Sequence, residues 1–367
     1  MDFLNKYGMS PESIDPVSYA PAMLEDMRRG LAGEKSDMPM IPTYLKNAGA
    51  VPLGVPAAVI DAGGTNFRRA LVTFTDSGCV VEELEKCPMP GVAAPVSWEE
   101  FISFVADGIE PLMDRAECIG FCFSYTAEVT PDIDGRVVRI DKEVTVRGCE
   151  GQLVGESLMA ELARRGISGK SFVILNDTVA VLLGGSALLD KSRYSGFFGQ
   201  VSGTGTNTCC AVPYRDIKKL GRDEPGEILV NLECGMYAGL PRGKFDLLLD
   251  AQSKDPGHKF FEKMTAGVYL GELTRLMLRQ AAEDGLLSAH CAGRVRELNR
   301  IDSAVIDAWA SSEGMEALCA ASDDAELIKM LCLAMFERSA RCMCACIGAM
   351  LLLTGAGESA EKPACVC

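Results

Sequence analysis

Residues 201–210 read VSGTGTNTCC, and residues 60–69 read IDAGGTNFRR. In both, an apolar run enters a glycine-rich turn, Thr-Asn follows, and a second apolar run leaves. That is the pattern of two antiparallel strands joined by a tight hairpin. A glycine turn at a strand end also points successive backbone N–H groups into one concavity, which binds anions and phosphates above all. The missing Cβ lets a phosphate approach, and Thr65, Thr204 and Thr206 add hydroxyl donors. Asp61, at the end of the first run, is suited to hold a magnesium ion through water. Taken singly, each turn reads equally well as a plain hairpin. Taken together they suggest a grip on a nucleotide's phosphates from two sides.

The chain has 367 residues, too many for one small core, so two domains are expected. Strands and helices alternate twice, which predicts two α/β lobes. The formal net charge of −15 argues against holding nucleic acid or an anionic membrane through a general basic field. An anionic small ligand remains open, because turns and a metal ion hold phosphate locally. There are 16 cysteines, many in apolar runs: Cys118 and Cys122, then Cys342, Cys344 and Cys346. These read as buried reduced thiols. With no charged-then-apolar leader at residues 1–16, they place the chain in the cytoplasm. No pair of C-x-x-C units points to zinc. The longest uncharged run, residues 342–357, falls short of the ~20 residues that span a bilayer and reads as a buried helix leading into a loop.

The apolar spacing of Met23, Leu24, Met27 and Leu31 predicts a helix stopped by Gly33. MIPTYL (40–45) reads as a connector leading out through proline. PAAVIDAGG and FRRALVTF are two strands. Trp98, Phe101, Val105 and Ile109 lie on one face of a helix. ECIGFCFSY is a buried strand, and VGESLMAELARRG a helix closed by Gly166. SFVILND (171–177) is a strand, with a helix following from Thr178. A long helical region over 257–285 is expected to break near Gly267. GISGKS (166–171) lacks the first glycine of a P-loop, since Arg164 stands there, and reads as a loop. GAGESA (355–360) follows a helix instead of a strand and also reads as a loop.

The polar groups that interrupt apolar runs are the candidate chemistry. Asn176 and Asp177 end a strand where a helix begins, the place where ligands sit on α/β sheets. A carboxylate there is suited to take a proton from an attacking alcohol. Asp177 alone reads equally well as a helix N-cap. Ser124, Lys142, Asn207, Glu233 and Glu262 add hydroxyl, ammonium, amide and carboxylate groups that suit a polyhydroxylated ligand. His258 and His290 are the only histidines, which disfavours a histidine-centred mechanism.

The ordered set MIPTYL, DAGGTNFR, GFCFSY, CEG, LNDTVA, SGTGTN, VNLECG and DPGHKFFEKMTAGVYLGELTRL resembles the hexokinases. That family includes glucokinase and lies within the sugar kinase, actin and heat-shock ATPase superfamily. The resemblance runs from about residue 20 onward. It implies a two-lobed actin-like ATPase fold, α/β and of ribonuclease H type, with a central cleft. The expected division is residues 1–54 as N-terminal helix and connector of the large lobe, 55–177 as small lobe and 178–367 as large lobe. It implies ATP-dependent phosphorylation of a hexose, glucose foremost, with Asp177 as the base that activates the 6-hydroxyl. Ser124, Lys142, Asn176, Asn207, Glu233 and Glu262 match sugar contacts. Asp61, Gly63, Gly64, Thr65, Asn66 and Arg68, with Gly203, Thr204 and Gly205, match the segments that hold ATP and Mg2+. By the same resemblance Asp61 would lie near the magnesium ion.

Four departures from the family pattern bear on that reading. Tyr125 and Thr126 replace Phe-Pro after the serine, Asp141 replaces threonine before Lys142, and Cys234 replaces tryptophan after Glu233. The pattern's adenosine-binding segment and last helix have no counterpart before Cys367. A non-catalytic sugar-binding protein on the same scaffold, or a kinase for another hexose or an amino sugar, therefore stand as alternatives.

Overall fold

The computed structural model describes residues 2–46, 52–63, 66–140, 144–187, 189–316, 318–319 and 321–367. The chain divides into two compact units. One comprises residues 1–40, 200–208 and 232–364; the other comprises 41–199, 209–231 and 365–367. These units are interleaved along the sequence.

The second unit is built on sheets. One has five strands in the spatial order Ser171–Leu175, Cys118–Phe123, Ala57–Ala62, Asn66–Thr75 and Gly78–Pro88. The first three are parallel; Asp61 and Leu175 both lie opposite Cys122. The last two turn back antiparallel, with Asp61 opposite Arg68 across the glycine hairpin. The helix Trp98–Ile109 packs on this sheet. Ser97 and Glu100 form a reciprocal capping box at its start. Trp98, Phe101, Val105 and Ile109 are buried in one core with Ile60, Phe67 and Phe121. Burying each such side chain stabilises the fold by roughly 1.5–3 kcal/mol.

A second five-stranded sheet has the order Ile41–Lys46, Glu227–Asn231, Thr206–Pro213, Gly196–Ser202 and Ala364–Val366. Its first strand corrects the reading of MIPTYL as a connector. Pro42 has no N–H to donate and is tolerated because this strand lies at the sheet edge. The hairpin strand Gly78–Pro88 also escaped the sequence reading. Nearly every side chain along it is exposed, so it lacks the apolar alternation that marks a half-buried strand.

The first unit is mainly helical. Helix Pro16–Ala32 ends at Gly33, which takes up the left-handed conformation that glycine adopts without steric cost. The helix Ser322–Thr354 is 33 residues long. It carries residues 342–354 of the uncharged run and ends at Gly355, the helix leading into a loop that the sequence suggests. Cys342 and Cys346 are buried on it but Cys344 is exposed, because positions four apart share a helix face and the one between them does not. The helical region after residue 257 breaks between Phe260–Thr265 and Gly267–Glu283. Among the described residues no helix is long and apolar enough to cross a membrane.

Candidate active site

In the sheet unit, the parallel register sets several candidate residues at one sheet edge. Asp61, Ser124, Asn176 and Asp177 all lie at or just beyond the carboxyl ends of three neighbouring strands. Ser124 is tied to this edge by its backbone, whose N–H donates to the Ala62 carbonyl at 3.3 Å. Arg68 returns along the hairpin, and its Nη1 meets Asp61 Oδ2 at 2.5 Å. The two side chains remain 43% and 38% exposed. The pair is thus anchored yet open to solvent, a condition that suits an ion bound through water. Gly64, Thr65 and Lys142 lie outside the described residues.

Asn176, not Asp177, makes the characteristic capping bond of the following helix. Its Oδ1 accepts the Thr178 N–H at 3.0 Å, two residues on, and also the Thr178 hydroxyl. Asp177 accepts the same amide through Oδ1 at 2.8 Å and is half-buried. Thr178, which the sequence reading did not single out, is the fully buried residue that holds both side chains.

The helical unit holds a second group. Asn207 Oδ1 accepts the amides of Thr208 at 2.8 Å and Cys234 at 3.3 Å. Its carbonyl side is therefore fixed inward, and Nδ2 donates to Glu233 Oε1 at 3.1 Å. Glu233 itself has a left-handed backbone. That conformation costs a non-glycine residue on the order of 1–3 kcal/mol, and such strain is commonly found at ligand sites. Glu262 Oε2 accepts the Thr206 amide at 3.3 Å. A Cβ on Gly205 would lie 2.8 Å from that oxygen, and one on Gly235 would lie 3.0 Å from the Thr206 carbonyl. A side chain at Gly205 would displace the Glu262 carboxylate from its present place, and one at Gly235 would crowd the Thr206 carbonyl. Thr265 donates its hydroxyl to Thr206 Oγ1 at 3.0 Å and steadies the same strand.

The glycine turns differ from the sequence picture in one respect. The Gly63 amide donates to the Asn66 carbonyl at 3.0 Å and the Gly203 amide to the Gly205 carbonyl at 2.9 Å. These N–H groups close their own turns. They shape the turns, and other donors must face a ligand. In the second turn the exposed Thr204 is the nearest candidate, and open space lies where a Cβ of Gly203 would stand. That space fits close approach of a phosphate.

Cys234 is wholly buried beside Glu233. Its thiol hydrogen-bonds Cys346, whose Sγ also lies 3.6 Å from Thr208 Oγ1. Burial pushes the Cys234 thiol well up, so it stays protonated.

Two family profiles, both described as hexokinase, match residues 1–187 and 197–366. The chain is 31% identical over 307 residues to hexokinase-1 of Nicotiana tabacum, covering 78% of this chain and 60% of that one. It is 31% identical over 286 residues to hexokinase-1 of Saccharomyces cerevisiae, covering 72% and 58%. The chain thus spans about three fifths of the length of these relatives. A glucose complex of Schistosoma mansoni hexokinase superposes with TM-score 0.74 at 21% identity, covering 100% of this chain and 95% of that one. A second hexokinase crystal structure reaches 0.78 at 21% identity, covering 97% and 85%. Those likenesses show the actin-like ATPase fold expected from the motifs. With both profiles and the ordered motifs in agreement, the chain belongs to the hexokinase family.

Proposed function

We propose that this chain transfers the terminal phosphoryl group of ATP to the 6-hydroxyl of a hexose, glucose foremost, with Asp177 as the base. The observation that carries the reading is the position of Asp177. It stands at the carboxyl end of a parallel strand, on the same edge as Asp61, and the capping bond of its helix is already made by Asn176. Phosphoryl transfer asks little covalent chemistry of the protein; it asks for alignment and for neutralised charge. Asp61 would hold Mg2+ through water, and the bound metal would neutralise phosphate charge. Gly63, Asn66 and Arg68 on one turn, and Gly203, Thr204 and Gly205 on the other, are assigned to the nucleotide's phosphates. Ser124, Asn176, Asn207, Glu233 and Glu262 are assigned to sugar hydroxyls, for which fixed amide and carboxylate groups are apt partners. Gly64, Thr65 and Lys142 keep the roles that the family resemblance implies. Sixteen thiols suit a reducing compartment, and we place the protein in the cytoplasm.

The test is a coupled assay of glucose phosphorylation by MgATP, run beside Asp177→Ala and Asp177→Asn. The unaltered chain should turn over. Each variant should lose about 100-fold or more in kcat, as for removal of a general base, while glucose binding persists. Near-normal turnover in the variants would remove Asp177 from the mechanism. Glucose binding without turnover in the unaltered chain would favour the non-catalytic sugar-binding alternative.

A further inference from the structure

We propose that Tyr125 is a positioning residue that holds the first glycine turn in its nucleotide-receiving form; this rests on the kinase reading above. Two consecutive carbonyls at the start of that turn are held by the end of the neighbouring strand. The Ala62 carbonyl accepts the Ser124 N–H at 3.3 Å, and the Gly63 carbonyl accepts the Tyr125 hydroxyl at 2.6 Å. A peptide unit is planar, so a donor that fixes its carbonyl fixes the plane. The Tyr125 hydroxyl therefore holds the Gly63 carbonyl in place, two residues beyond Asp61. Glycine has no side chain with which to resist rotation, and an external tether matters most there.

The tether is itself well held. Tyr125 is 7% exposed, and its ring packs edge-on against Phe123 with centroids 5.1 Å apart. A tyrosine has only two side-chain torsions, and this packing restrains both. Burial, and then the nearby Asp61 charge, push the phenol up from its ordinary value. The hydroxyl therefore remains a donor over the working pH range. The hydrogen bond lies on the nucleotide side of the proposed site.

Tyr125→Phe keeps the ring and removes the tether. With the hydroxyl gone, KM for MgATP should rise about five-fold, the effect of one ordinary hydrogen bond, while KM for glucose stays within about two-fold. Equal movement of both constants, or movement of neither, would overturn the proposal, because a merely structural role does not separate them. Should the unaltered chain show no turnover, the kinase reading fails on its own. Amide hydrogen exchange over residues 57–69 then decides the tether. Faster exchange in Tyr125→Phe at unchanged global stability supports it, and identical exchange refutes it.

Discussion

Asn176 and Asp177 are adjacent, yet their surroundings separate their roles. Asn176 accepts both donors of Thr178, whereas Asp177 shares only the amide. The asymmetry keeps a capping amide at the helix start and sets a carboxylate beside it at the strand end. Glu233 shows a related economy. Its backbone is strained, and its carboxylate is met by an amide that two backbone donors orient. Glu233→Gln preserves shape and removes charge. Sugar affinity measured by calorimetry should fall about tenfold or more, as for loss of a hydrogen bond to a charged group, with the melting temperature little changed. An unchanged affinity would take Glu233 out of the sugar site. The thiols give a second residue-scale expectation. Nine of the 16 are buried and three, Cys79, Cys87 and Cys344, are exposed. Burial pushes Cys209, Cys332 and Cys342 up to about 12. An aromatic disulfide reagent should titrate three thiols quickly in the native protein and reach the buried nine only in denaturant.

At the scale of elements, the packing of the Asp177 helix depends on a single glycine. A Cβ on Gly199 would stand 2.3 Å from the Thr178 carbonyl, 2.7 Å from Cys209 Sγ and 2.8 Å from Leu182 Cβ. Backbone cannot yield as a flexible side chain does, so Gly199→Ala should cost about 1–3 kcal/mol in denaturant unfolding. It should also lower kcat, because the Asp177 helix must shift. Loss of neither would show that the strand and helix separate easily. The helix Val154–Arg164 supplies a pH prediction. Glu161 bonds Arg164 and Arg165, which lower its carboxyl from 4.5 to about 2. A depressed folded value contributes stability that is present above 4.5 and is lost as pH falls towards 2. Glu161→Gln should therefore flatten the acid limb of the stability curve in that window, and an acid limb superimposable on that of the unaltered chain would contradict the pairing.

At the scale of the whole molecule, each unit has its own core, and the helical one encloses a buried ion pair. Arg338 meets Asp246 through two bonds, at 3.0 and 2.7 Å, with both side chains at most 3% exposed. Asp246 also accepts the Gly243 amide at 2.7 Å. Removing one partner leaves a buried charge uncompensated, so Arg338→Met should destabilise the protein by about 3–5 kcal/mol. Asp246→Leu combined with Arg338→Met should recover much of that loss, and failure of the pair to recover would argue for additional partners.

Much of the architecture was legible in local patterns. Apolar spacing gave the helices at Pro16–Ala32 and Trp98–Ile109, and glycines marked both hairpins and the end of the first of these helices. Local physics governs those features: periodicity decides which face is buried, and at Gly33 only glycine turns cheaply into positive φ. The strands Ile41–Lys46 and Gly78–Pro88 were not legible, because an edge strand carries little apolar signal and forms through partners distant in sequence. The residue types of the candidate site, two carboxylate ends and two glycine turns, are likewise a property of the sequence. Their use is not. Which side chain makes the cap and which turn amides are already used was read from the local geometry of the fold, and only the tertiary structure decided that the Glu262 carboxylate meets the Thr206 amide. The physical reason is that a hydrogen bond is allotted by distance and direction, and residues as far apart as 206 and 262 acquire these only once the chain has folded.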